Sequence, residues 1–135
     1  MITVFADTYY YLALLNADDD DHVRAAAWTG QFAGRIVTTD AVLTELADAL
    51  SEGAGRMAAV RFIRDQFTDP AVTVVEANRS LFERGLDLYE KRLDKGWSLT
   101  DCISFVVMER EKIAQALTTD HHFEQAGFVA LLKPS

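Results

Sequence analysis

The chain is 135 residues long, with 50% hydrophobic and 25% charged residues, which fits one globular domain with a single core and excludes a disordered or low-complexity chain. Its formal net charge of -8 and pI near 4.7 exclude a protein that holds nucleic acid by overall positive charge. One cysteine, Cys102, excludes an intramolecular disulfide, and no apolar run approaches the roughly 18–20 residues that span a bilayer.

The β-former-rich run 2–6 predicts a first strand, which ends in Asp7. Residues 9–15 predict a short apolar helix. Asp18, Asp19, Asp20 and Asp21 complement the positive end of a helix that runs to about residue 32, with Val23, Ala26, Ala27 and Gly30 on its inner side. Four consecutive side chains cannot all face one cation, so a metal site is the poorer account of them. After Gly34, residues 35–38 predict a second strand. Asp40 is the expected cap of the next helix, whose stripe of Val42, Leu46 and Leu50, with Leu43 beside it, recurs at a period near 3.6. Gly53 and Gly55 break that helix, and residues 57–67 predict another. Pro70 turns the chain into a third strand over 72–75.

Asn78 caps a long amphipathic helix carrying Leu81, Phe82, Leu86, Leu88, Tyr89 and Leu93. Lys95, Gly96 and Trp97 form a loop. Ser98 opens the most apolar helix, which ends in the charged run 109–112. Residues 114–118 predict a fourth strand, followed by Asp120. Residues 121–126 predict a short helix closed by Gly127, and residues 128–132 a fifth strand.

Alternating strands and helices predict an α/β fold: one domain over 1–135, with a central parallel sheet of about five strands covered by helices on both faces. In open sheets of this kind, ligands gather beyond the carboxyl ends of strands, where the strand order reverses. Asp7 and Asp120 both lie at such ends. If the first and fourth strands are neighbours, the two aspartates face each other.

Asp7, Glu45, Asp101 and Asp120 are the candidate site. Each has a structural alternative. Asp101 completes a Ser98-x-x-Asp101 capping box. Asp120 caps the helix after it, Glu45 flanks an apolar stripe, and Asp7 is a turn residue. Together, on one rim, four carboxylates repel one another unless protonated or bridged by a cation. Oxygen-only ligands suit a hard divalent ion such as Mg²⁺ or Mn²⁺.

Four segments carry a resemblance: Phe5-Ala6-Asp7-Thr8, Thr44-Glu45-Leu46, Ser98-Leu99-Thr100-Asp101-Cys102-Ile103-Ser104-Phe105, and Thr118-Thr119-Asp120-His121-His122-Phe123. In their order and spacing they resemble the motif series of PIN-domain ribonucleases, and within these the VapC-type toxins of bacterial and archaeal toxin–antitoxin pairs. The resemblance implies a parallel sheet flanked by helices, with Asp7, Glu45, Asp101 and Asp120 holding Mg²⁺ or Mn²⁺ for RNA cleavage. Asp7, Asp101 and Asp120 would hold the principal ion, and Glu45 a second ion or the attacking water. Thr8, Thr100 and Thr118 would supply hydroxyls that orient the carboxylates. Products with a 5′-phosphate and a 3′-hydroxyl, a cognate antitoxin protein and a homodimer are further implications. The homodimer surfaces would be the N-terminal aromatics and the helices at 41–67. The lack of disulfides and of a basic N-terminal region points to the cytoplasm.

Other residues have weaker claims. His22, His121 and His122 suit surface or packing roles better than metal binding, and Tyr9, Tyr10 and Tyr11 suit packing better than base stacking. Trp97 is a loop anchor or an RNA contact. Arg56, Arg61 and Arg64, and Arg84, Lys91, Arg92 and Lys95, track an RNA backbone or simply solvate two helices. A phospho-accepting signalling domain needs an aspartate after the third strand, where Glu76 and Ala77 stand instead. A non-catalytic PIN-like RNA- or protein-binding module is the remaining alternative, and the complete quartet weighs against it.

Overall fold

The computed structural model describes residues 1–134. Five strands, β1 (Thr3–Ala6), β2 (Arg35–Thr39), β3 (Val72–Val75), β4 (Gln115–Leu117) and β5 (Val129–Ala130), form one parallel sheet in the order β3-β2-β1-β4-β5. The helices among the described residues are α1 (Thr8–Leu15), α2 (His22–Gln31), α3 (Asp40–Ala49), α4 (Gly55–Thr68), α5 (Arg79–Lys91), α6 (Leu99–Glu111) and α7 (His121–Gln125). The chain leaves β1 towards β2 and β3, then returns to the other side of β1 for β4 and β5. The strand order therefore reverses between β1 and β4, as the sequence reading required for its two aspartates to meet. Phe5 is in register with Ala116 and Ala6 with Leu117. Just beyond the strand end, the Asp7 N–H donates to the Leu117 carbonyl at 3.3 Å.

Val4, Phe5 and Ala6 are all buried. Successive strand residues point to opposite faces, so β1 is covered on both, which is why its sequence reads as an unbroken apolar run. Phe123 of α7 meets both Phe105 of α6 and Phe5 in the core, with ring centroids 4.9 Å apart for Phe105–Phe123 and 6.3 Å apart for Phe5–Phe123. Tyr10 and Tyr11 are buried too, and the Tyr10 hydroxyl bonds the Thr29 hydroxyl at 2.6 Å. They pack the core and are not free to form a dimer surface.

The structure corrects several local expectations. α2 begins at His22, after the aspartates, which form turns in which Asp19 Oδ1 accepts from the Asp21 N–H at 2.8 Å. Its inner face carries Ala25, Trp28 and Phe32, whereas Val23 is 78% exposed and Ala26, Ala27 and Gly30 also face outward. The stacked rings of Trp28 and Phe32, 4.3 Å apart, bury far more apolar area than alanine methyls, and that decides which face turns inward. Thr39, not Asp40, caps α3, accepting from the Val42 N–H at 3.1 Å. Asp40 is thereby released to accept from the Ala77 N–H at 2.8 Å, tying the β3–α5 connection to α3. β5 is two residues long instead of five.

On α5 only Leu81 and Gly85 are buried, while Phe82, Leu86 and Tyr89, and Leu93 beyond the helix end, are exposed. Gly85 is where α5 closes on α6: a Cβ there would stand 2.5 Å from Ile103 Cγ1 and 3.3 Å from its backbone. Valine at this position gains little helix propensity and must overpack the contact, so Gly85→Val is expected to lower stability by about 2–3 kcal/mol in urea denaturation.

Candidate active site

The site is built from turns that the sequence specifies locally. Ser98 accepts from the Asp101 N–H at 3.0 Å, and Asp101 Oδ2 accepts from the Ser98 N–H at 3.1 Å. This reciprocal box starts α6 and fixes the Asp101 carboxylate at its first turn. Asp120 Oδ1 caps α7 by accepting from the His122 N–H at 2.9 Å. Both acids thus perform the capping roles that competed with a site role, and both still face the same cleft. Capping orients one oxygen of each carboxylate and leaves charge over for the cleft.

The cleft has a volume of about 310 Å³, and Glu45, Asp101, Asp120, His122, Thr8 and Tyr9 line it. Asp7 is only 1% exposed, and the Thr118 hydroxyl donates to its Oδ2 at 2.9 Å. Thr118 also accepts from the Asp120 N–H at 3.0 Å, so one hydroxyl links the ends of β1 and β4. Thr118 therefore orients a carboxylate as expected. Thr100 and Thr8 do not. Thr100 contributes its carbonyl to the Ser104 hydroxyl, and Thr8 Oγ1 is buried with no hydrogen-bond partner.

Burial is the dominant electrostatic fact. It lifts the Asp7 carboxyl from 3.8 to about 7, against the bond from Thr118 and with added repulsion from Asp101 and Glu45. Burial also raises Asp101, which the Ser98 N–H and His122 counteract and Asp120 reinforces. The Tyr9 phenol, on the cleft wall, is raised by burial first and then by Asp120, Asp7, Asp101 and Glu45.

Across this arrangement, the sequence profile of the PIN domain matches residues 4–129. The chain belongs to the PIN-domain family. Among curated proteins it is 29% identical over 126 residues to the 23S rRNA-specific endonuclease VapC20 of Mycobacterium tuberculosis, covering 93% of this chain and 95% of the relative. The crystal structure of that organism's VapC20, described as a sarcin–ricin loop cleaving toxin, superposes with a TM-score of 0.87 at 28% identity, over 95% of this chain and 98% of the other. VapBC2 from Rickettsia felis, solved bound to a DNA fragment from its promoter, matches with a TM-score of 0.64 at 14% identity, over 96% and 97%, and supports the fold alone.

This PIN domain also shows what sequence reasoning missed. His122, half-buried, does more than pack: its Nδ1 lies 2.9 Å from Asp101 Oδ2 and 3.3 Å from Asp120 Oδ2. It bridges two carboxylates that have no lysine or arginine within ion-pair distance among the described residues. The signal was present in the cap, since an Asp120 side chain that takes the His122 N–H holds the His122 ring beside itself. His121 lies 3.6 Å from Asp120 Oδ1. Ligand atoms of Asp120, His121 and His122 fall within 4.8 Å of one another, so imidazole nitrogen borders a centre that was expected to be oxygen-only. His22 is structural, with Nδ1 2.7 Å from the Ala13 carbonyl. Trp97 is an anchor, buried, with Nε1–H donating to Gln125 Oε1 at 2.9 Å.

Proposed function

We propose that this PIN domain, one unit over 1–135, is a metal-dependent endoribonuclease that hydrolyses RNA phosphodiesters, the toxin of a type II toxin–antitoxin pair. The observation that supports the reading is that Glu45, Asp101 and Asp120 line one cleft beside the strand-order reversal, with the buried Asp7 tied to Asp120 through the Thr118 hydroxyl. The naming of VapC20 as an endonuclease toxin, at a TM-score of 0.87, supports it.

The residues present fit a divalent cation. Four carboxylates, an unpartnered buried hydroxyl on Thr8 and one imidazole bridge form a donor set with excess negative charge. Asp7, Asp101 and Asp120 would hold a Mg²⁺ or Mn²⁺ ion, with Glu45 available to a second ion or to the attacking water. When bound, such an ion supplies Lewis-acid stabilisation of the phosphate charge and a more acidic water. The chain's own residues do the positioning. Thr118 holds Asp7, Ser98 and His122 hold Asp101 Oδ2 and leave Oδ1 without a protein donor, and the His122 N–H holds Asp120. Glu45, half-buried on the cleft wall, would accept a proton from water.

No helix of the described residues is long and apolar enough to cross a membrane. The proposal extends to a cognate antitoxin protein, a homodimer and a cytoplasmic location, as implied by the family resemblance. Metal titration tests the core of it. Saturating Mn²⁺ or Mg²⁺, at about 100 times its dissociation constant, is expected to add about 2.7 kcal/mol of stability and to switch on cleavage of structured RNA. Chelation by EDTA should reverse both. No thermal shift and no cleavage with either ion would overturn the reading.

A further inference from the structure

The loop that closes the acidic cleft also walls a second cavity. Gly96 and Ser98 line the cleft, but Trp97 between them lines a space of about 490 Å³ bounded by α5, α6 and α7, a size that suits a small ligand. Its apolar wall is aromatic: Trp97 meets Phe105 at 5.0 Å and Phe105 meets Phe128 at 5.8 Å. Its rim is basic, with Arg84, Arg92 and Arg110 against a single acid, Glu109. In a chain with 13 basic and 21 acidic residues, that is a local reversal of charge. Arg92 lies 5.0 Å from the Trp97 ring centroid and pairs with Asp94 at 3.0 Å. Arg110 approaches Glu111 at 3.7 Å, and Arg84 has no ion pair among the described residues. Gln125 gives its Oε1 to Trp97, which leaves its amide N–H groups as donors.

Aromatic rings, guanidinium planes and a free amide are the groups that bind a nucleotide: stacking for the base, cations for the phosphate and a donor for a base edge. An apolar peptide side chain would use the aromatic wall but not the three arginines. We propose that this cavity is a subsite for one nucleotide of the RNA substrate, next to the phosphate cut in the acidic cleft. Arg84 and Arg110 take its phosphate, and the half-buried Phe128 ring with the Arg92 guanidinium takes its base. The identity of the occupant as part of a substrate rests on the nuclease reading. The two sites share one loop, so a nucleotide seated behind Trp97 fixes the register of the strand that crosses Ser98 and Asp101.

The test uses the full chain in two forms. In the Asp7→Asn background, which keeps RNA intact, Arg84→Glu with Arg110→Glu is expected to weaken binding of a fluorescein-labelled single-stranded RNA by about tenfold and to flatten its salt dependence. In the active protein, Val106→Trp, which fills the cavity, should raise KM about tenfold with kcat within about twofold and change the bases found beside the cut. Separately, nucleoside 5′-monophosphates should shift the Trp97 indole N–H resonance in the unsubstituted protein and not in Val106→Trp. Circular dichroism checks that each variant is folded. Unchanged RNA affinity and KM in folded variants, while Asp7→Asn still abolishes cleavage, overturns the subsite and leaves the nuclease standing. If the unsubstituted chain cleaves nothing yet monophosphates still shift Trp97, the nuclease reading fails and the nucleotide site stands. Full RNA affinity with loss of antitoxin binding would assign the cavity to a protein and overturn the proposal.

Discussion

Asp7→Asn is expected to abolish RNA cleavage and at the same time to make the metal-free protein more stable at pH 8. The two effects have one origin. Asp7 is buried at the end of the central strand, where burial first and its acidic neighbours second lift its carboxyl from 3.8 to about 7. The unfolded carboxyl ionises near 3.8, so between about pH 4 and 7 the folded chain retains a proton that the unfolded chain has released. Stability without metal therefore falls as pH rises through that window, and the whole penalty is present above 7. The difference corresponds to roughly 4 kcal/mol as an upper bound. Asparagine carries no charge, and its carbonyl oxygen can still accept from Thr118. Melting curves in EDTA from pH 4 to 8 should show the unsubstituted chain losing stability where the variant does not. Cleavage with Mn²⁺ should fall by about 10²-fold or more, the scale of losing one preorganised electrostatic group. A variant that melts lower than the unsubstituted chain at pH 8 in EDTA would contradict the buried-charge account.

Phe123→Ala is expected to cost about 3–5 kcal/mol and, where the protein still folds, to depress cleavage far more than its distance from the cleft would imply. Phe123 is fully buried against Phe105 and Phe5, and it is the only buried residue of the five-residue helix α7. A helix that short has little stability of its own, so this ring holds α7 in place. Asp120 and His122 depend on that placement. Urea titration measures the first effect. The second is read from kcat at low temperature, with Phe123→Leu as the milder comparison that should regain most activity. Full kcat in folded Phe123→Ala would show that α7 is positioned by something other than this contact.

The parts of the site legible in the sequence were those fixed by local rules. Asp7 ends an apolar strand, and Asp101 sits three residues after Ser98 in a capping pattern. Alternation of strands and helices then sent Asp7 and Asp120 to the same rim, and the observed pairing of β1 with β4 brings them together. What could not be read was set by contacts between distant segments. Asp40 abandons its expected cap because the Ala77 N–H, 37 residues away, needs an acceptor. The inward face of α2 was chosen by Trp28 and Phe32 rings, not by the alanines. His122 is not legible as a site residue, because sequence places it near Asp120 but says nothing of Asp101, which folding brings to 2.9 Å from its ring. The Trp97 cavity was equally invisible, since its walls come from three helices and the segment after Gly127.

The brevity of β5 has a bearing on how these molecules behave in a crowd. A parallel sheet ends in rows of unsatisfied amides and carbonyls that invite a neighbour to add on. Here one margin is a mere two residues before the backbone turns away, which gives a passing chain almost nothing to zip against. On that side, many copies can jostle without growing into ribbons.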